Sequence, residues 1–105
     1  MNLLPFEQYS RKILTKKESE TSENYGKAPE KRTIKELLDS SVICVNKPSG
    51  PTSHQTADYV KRILEAEKAG HGGTLDPNVT GVLSIAINKA TKVLQTLLTG
   101  GKEYI

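Results

Sequence analysis

One carboxylate in this chain stands where a carboxylate can do chemistry. The stretch GHGGTLDPNVTGVL, residues 70–83, sets Asp76 in a glycine-rich loop directly before Pro77. A residue before proline is pushed out of right-handed helical backbone toward extended or turn geometry. Gly72 and Gly73 leave the approaching chain uncrowded and free to take positive φ. An ordinary carboxylate is ionised at neutral pH and can act as a nucleophile with no partner base. The competing reading is a turn aspartate whose side chain bonds the amides of its own loop.

Other chemistries lack their residues. A phosphate-cradling loop needs G-x-x-x-x-G-K-[ST]. At Gly101-Lys102, Thr96 stands for the first glycine and Glu103 for the hydroxyl residue, and residues 70–74 lack the lysine. A zinc site needs four ligands, or three plus water, and the chain offers only His54, His71 and Cys44. The G-x-S-x-G elbow of serine hydrolases is absent. No metal and no cofactor are expected.

The elements that must position Asp76 follow from pattern. Residues 1–32 are polar and charged, with Leu3, Leu4, Phe6, Ile13 and Leu14 as the main apolar points. They read as an arm, partly disordered or docked on a partner. Thr33-Ile34-Lys35-Glu36 has the form of a capping box and predicts a short helix over 34–39. Val42-Ile43-Cys44-Val45 predicts a buried strand, with Cys44 a small core residue. Residues 47–51, KPSGP, are a loop by their prolines and glycine. Thr52 and Gln55 form a second capping box, opening a helix to about residue 67 with Ala57, Val60, Ile63 and Leu64 on one face. Residues 68–81 read as the chemistry-bearing loop. Residues 82–87 predict a strand covered on both faces. Asn88 predicts a cap for a helix carrying Ala90, Val93, Leu94, Leu97 and Leu98, ended by Gly100-Gly101. Residues 102–105 read as the start of another strand.

At 105 residues the chain is at most one domain. Its 35% hydrophobic and 5% aromatic content is lean for a self-sufficient fold. The element order predicts an α+β domain with a mixed sheet and flanking helices, opened over 33–105 but left incomplete, so a fragment of a longer protein is expected. A net charge of +3 favours a polyanionic partner only weakly. The single Cys44 forms no internal disulfide, which fits an intracellular protein. The N-terminus has no long apolar run, so neither a signal peptide nor a membrane span is expected there.

Three segments carry a resemblance. VNKPSGPTSH (45–54), AGHGGTLDPNVTGVL (69–83) and GKEYI (101–105) resemble the TruB/dyskerin family of pseudouridine synthases in residues, order and spacing. Tyr25-Gly26 followed by Pro29-Glu30-Lys31-Arg32 resembles its archaeal and eukaryotic branch, the catalytic subunit of the H/ACA guide-RNA ribonucleoprotein. The likeness covers about residues 20–105. It implies an RNA pseudouridine synthase acting on rRNA, and on tRNA in some members, with no cofactor. The target uridine is flipped from its stack into a pocket around the aspartate.

By this resemblance Asp76 is the catalytic aspartate and Tyr104 the active-site tyrosine. The tyrosine ring suits stacking on uracil and its phenol suits proton relay; a plain strand residue is the alternative. His71, Lys47 and Thr74 are placed with the substrate and RNA contacts. For His71 a solvated or loop-bracing role is the alternative. Gly50, Thr52, Ser53, Gly72, Gly73, Pro77, Thr80 and Gly81 are scaffold, and the segment from Lys47 and Pro48 to Ser53 supports the loop from beneath. The basic residue that pairs with the aspartate in the family lies downstream, as does a PUA domain, so these residues alone are expected to be inactive. Implied partners are guide and substrate RNA and small proteins: a zinc-ribbon-like scaffold, a glycine-arginine-type β-barrel and a kink-turn binder. The compartment is the cytoplasm for an archaeal member and the nucleolus for a eukaryotic one. A guide-independent tRNA enzyme and a non-catalytic RNA- or protein-binding fragment are the rivals.

Overall fold

The computed structural model describes residues 2–105, the side chains of Pro5 and Phe6 excepted. Phe6, one of the arm's expected apolar points, thus lies outside the described side chains. The chain divides into two compact units: Thr33–Thr99, and the arm up to Arg32 together with Gly100–Ile105.

In the larger unit the order is α1 (Ile34–Asp39), β1 (Ser40–Lys47), α2 (Ser53–Ile63), β2 (Ala69–Gly72), β3 (Gly81–Asn88), a 3-10 turn (Lys89–Val93) and α3 (Leu94–Leu98). This is the expected α+β class. The three strands form one sheet, order β1-β3-β2, antiparallel throughout. The ladders run from Ser40↔Asn88 to Lys47↔Gly81 and from Ala69↔Ile87 to Gly72↔Ser84. β1 and β2 are therefore parallel to each other with β3 between them, and α2 makes the crossover.

Two of the three predicted helix starts form. The Thr33 hydroxyl accepts from the Glu36 amide at 3.2 Å. Thr52 and Gln55 complete a reciprocal box: the Gln55 amide donates to Thr52 Oγ1 at 3.0 Å and the Thr52 amide to Gln55 Oε1 at 2.9 Å. Caps of this kind contribute about 1 kcal/mol each. α2 ends at Ile63 rather than near 67, because Glu65 takes a φ of 53°, a left-handed turn no α-helix continues. Ile63, expected on the buried face, is 78% exposed. It sits about 120° round the helix from Ala57, at the margin of the packed stripe.

Ala57, Leu75, Leu83, Ile85 and Ile87 form the core, with Ile43, Val45, Val60, Leu64 and Ala69 packed against it. One face of the sheet thus lies against α2. β1 is not the buried strand its apolar run predicts. It is an edge strand with alternating burial, and Val42 and Cys44 are exposed. Only one face is covered, so period two wins over the apolar run. β3 is buried at Leu83, Ile85, Ala86 and Ile87, but Val82 is 73% exposed, so cover on both faces fails at the loop end.

β2 falls inside residues 68–81, which read as loop. Gly-His-Gly has little strand propensity, and the reason for the glycines is packing. A Cβ on Gly72 would lie 2.8 Å from Leu97 Cβ, and one on Gly70 would lie 2.6 Å from Leu94 Cδ1. Their bare backbone lets α3 rest on the second face of the sheet. Gly72→Ala is expected to lose about 1–3 kcal/mol of stability by overpacking, measured by urea unfolding.

Asn88 does not cap the following helix. Its φ is 51°, and its side chain stitches distant backbone instead. Oδ1 accepts from the amides of Glu67 (3.0 Å) and Lys68 (3.2 Å), and Nδ2 donates to the Leu38 carbonyl (2.8 Å). The helix it was expected to start opens as a 3-10 turn.

In the smaller unit, 3-10 turns occupy Pro5–Gln8 and Pro29–Lys31. Residues 102–105 are not in a strand, against expectation. Among the described residues no helix is long and apolar enough to cross a membrane.

Candidate active-site loop

At the Lys47↔Gly81 end of the sheet, β1 leads into residues 48–52 and β3 emerges from residues 73–80. The two loops are tied together by donors from the first. Lys47, the last residue of β1, is 0% exposed. Its ammonium donates to the carbonyls of Pro48 (2.9 Å), Pro77 (3.0 Å) and Val79 (2.7 Å). Those three bonds use its whole donor capacity. The Gly50 amide donates to the same Pro77 carbonyl at 2.7 Å. Gly50 does so at a φ of 120°, a conformation that residues with a Cβ rarely adopt.

Ser53, buried in the first turn of α2, grips the other flank. Its Oγ donates to the Leu75 carbonyl and accepts from the Leu75 amide, each at 2.9 Å. The Leu75 side chain sits in the core. The Val79 amide donates to the Asp76 carbonyl at 3.0 Å and closes the turn. Residues on both sides of Asp76 are therefore fixed, one by a serine and two by a lysine.

Asp76 itself is exposed, and among the described residues its carboxylate has no hydrogen bond or ion pair. The alternative of an aspartate side chain bonded to its own loop amides is not realised; the backbone carbonyl does that work. A carboxylate whose neighbours are hydrogen-bonded in place and whose own oxygens are open is arranged to meet something from outside.

The site residues fall into distinct places. Lys47, expected among the RNA contacts and also in the segment that supports the loop, is buried with its three donors on loop carbonyls. Thr74 and Thr80 are exposed beside the turn, Gly73 is buried at a φ of 82°, and Gly81 opens β3. Thr52 acts through the cap of α2. Gly72 acts through α3 rather than through the loop. Tyr104 belongs to the smaller unit, where it is 63% exposed. Ser53 was named as scaffold by the resemblance; its partner, Leu75, 22 residues away, was not legible in the sequence.

His71 is in a strand, not a loop. It stands opposite Ile85 on the face that packs against α2, half-buried, with Nδ1 buried and unpartnered. Burial, and then the charge of His54, hold its imidazole below the ordinary 6.5, so it is neutral at pH 7. The sign of the pH effect follows. Above 6.5 both folded and unfolded chains carry a neutral ring; below it the unfolded chain takes the proton first, so stability falls with acidification. Urea unfolding between pH 7 and 5.5 is expected to show this loss, and His71→Gln to reduce it. A ring titrating at or above 6.5 by NMR contradicts this.

Residues 61–105 match the TruB family pseudouridylate synthase N-terminal domain, and residues 3–57 match the DKCLD (NUC011) domain. The chain is 56% identical over 97% of its length to a probable tRNA pseudouridine synthase B of Methanopyrus kandleri, and 60% identical over 97% to that of Nanoarchaeum equitans. It spans 30% and 29% of those proteins. Among solved structures, a chain of an H/ACA RNP bound to a substrate RNA containing 2'-deoxyuridine matches with a TM-score of 0.81 and 50% identity, over 89% of this chain and 30% of that one. A chain of a Cbf5-Nop10-Gar1 complex matches with a TM-score of 0.75 and 49% identity, over 89% of this chain and 28% of that one. With a clamped Asp-Pro turn in the expected frame and family models matching both halves, the chain belongs to the TruB/dyskerin family of pseudouridine synthases.

Proposed function

We propose that this chain supplies the nucleophile-bearing part of an RNA pseudouridine synthase working as the catalytic subunit of an H/ACA-type guide ribonucleoprotein. The observation that carries this reading is the Asp76 carboxylate, open and unpaired on a turn held by Lys47 and Ser53. The reaction breaks the N-glycosidic bond of uridine, turns the base, and joins the ribose to C5 of the ring, whose hydrogen leaves as a proton while the freed N1 takes one up. There is no net oxidation. An anionic nucleophile can serve at either of two points, the anomeric carbon or the pyrimidine ring. Asp76 attacks, while Thr74 and the ring of Tyr104 are the groups assigned to the extruded nucleotide. His71, neutral at pH 7, contributes shape and stacking rather than a positive charge.

Guide RNA pairing selects the target, so this subunit needs few base contacts of its own. Small proteins of the kind named with the related structures, Nop10 and Gar1, are the expected partners. The archaeal relatives make the cytoplasm its expected compartment. A second reading, a tRNA enzyme acting without a guide, is favoured by the names of those same relatives.

The test uses the protein extended to the length of its relatives, with substrate RNA tritiated at C5 of uracil. Release of label from a guide-matched uridine supports the first reading, and release from tRNA without guide supports the second. No release from either overturns both. Residues 1–105 alone are expected to release none.

A further inference from the structure

The arm holds a second feature that the reaction at Asp76 does not use. Residues 9–17, YSRKILTKK, carry four cations and no carboxylate. Arg11, Lys12, Lys16 and Lys17 are all exposed, and none has a hydrogen-bond or ion-pair partner among the described residues. The nearest acid before them, Glu7, is engaged by the Leu4 amide at 2.7 Å. Glu18, Glu20 and Glu23 follow, exposed, yet form no pair with these four cations. Interleaved with the charges, Tyr9 is 76% exposed, Ile13 90% and Leu14 79%. Residues 9–15 have no helix or strand of their own.

We propose that residues 9–17 are an RNA-binding strip that tracks a single-stranded phosphate backbone. The proposal rests on the reading of this protein as an RNA enzyme only for its choice of polyanion. Four unpaired cations over seven residues span at most roughly 20 Å of chain, a run suited to three or four successive phosphates. A segment without fixed secondary structure can follow an irregular strand. Tyr9 provides a stacking ring at one end, and Ile13 and Leu14 lie against sugar and base faces between the charges. An acidic protein would satisfy the cations but gives the exposed tyrosine no particular role. The carboxylates from Glu18 onward end the strip and set its direction of approach.

The test is fluorescence anisotropy of the protein extended to the length of its relatives, with a labelled single-stranded RNA over a range of salt concentrations. In the variant with Arg11, Lys12, Lys16 and Lys17 all changed to serine, affinity at low salt is expected to fall about tenfold or more. The slope of log K against log salt is expected to flatten by about 2–3, near 0.7 per lost contact. Changing the three lysines to arginine should preserve both. Far-UV circular dichroism and the melting temperature confirm that each variant keeps the fold, since the strip is exposed. An unchanged slope in the serine variant overturns the proposal, and so does poly-glutamate competing as well as RNA. Failure here leaves Asp76 intact and is separable from failure of the isomerase reading, which the tritium assay reports.

Discussion

Asp76→Asn, in the protein extended to the length of its relatives and supplied with guide RNA, abolishes tritium release, with kcat down by about a thousandfold or more. The affinity for RNA stays within a few fold. Asparagine has the same shape but is neutral and a poor nucleophile, so the change removes chemistry and leaves geometry. The structure makes a companion result equally firm. Since the carboxylate has no partner among the described residues, stability should move by less than about 0.5 kcal/mol, as for a surface substitution. That pairing separates the two readings of an Asp-Pro turn. A side chain bonded into its own loop would lose stability on amidation and keep turnover; a nucleophile does the reverse. Near-normal isomerisation by the Asn form ends the assignment.

Lys47→Met gives the second large effect. Methionine keeps the buried stem and removes the ammonium, leaving the carbonyls of Pro48 and Val79 without their donor and that of Pro77 with Gly50 alone. Part-buried acceptors that lose their donor cost up to about 1–3 kcal/mol each, offset where water reaches them and by no longer burying a charge. The net expected loss is about 1–3 kcal/mol by urea unfolding. Turnover should fall further than stability accounts for, because the turn that aims Asp76 loses its hold; single-turnover rates at saturating RNA read this directly. Lys47→Arg should not rescue either property, since a planar fork does not fit three carbonyls around a point charge. If the Met form turns over normally and the Val79 and Gly50 amides keep their hydrogen-exchange protection, the clamp is not what positions the aspartate.

Much of this could be read from the chain before any coordinates, and the divisions are physical. Thr33 and Thr52 announced their helices because a capping box is local, closed within four residues. Asp76 stood out because Pro77 restricts its backbone and the glycines before it leave the chain free to turn, both visible in sequence alone. β2 was missed because Gly70 and Gly72 serve the approach of Leu94 and Leu97, a demand from another element. Asn88 looked like a cap because it precedes an apolar repeat, but two amides and a carbonyl from elsewhere in the chain claimed its side chain. Cys44 looked buried because an apolar run gives no sign that one face of its strand stays uncovered. For Lys47 the resemblance offered two places, among the RNA contacts and in the segment beneath the loop; its burial and its three carbonyl partners, 1, 30 and 32 positions away, favour the second and could not be read from the residues around it.

The bonds that shape the turn join residues 22 to 32 positions apart. Such bonds need β1, the start of α2 and the bend to be in place together, so the bend keeps its shape only inside this unit. It also travels poorly. An engineer who transplanted residues 73–80 into another scaffold, without the Lys-Pro-Ser-Gly stretch and the serine behind it, would carry over a recognisable motif and a slack, badly aimed acid.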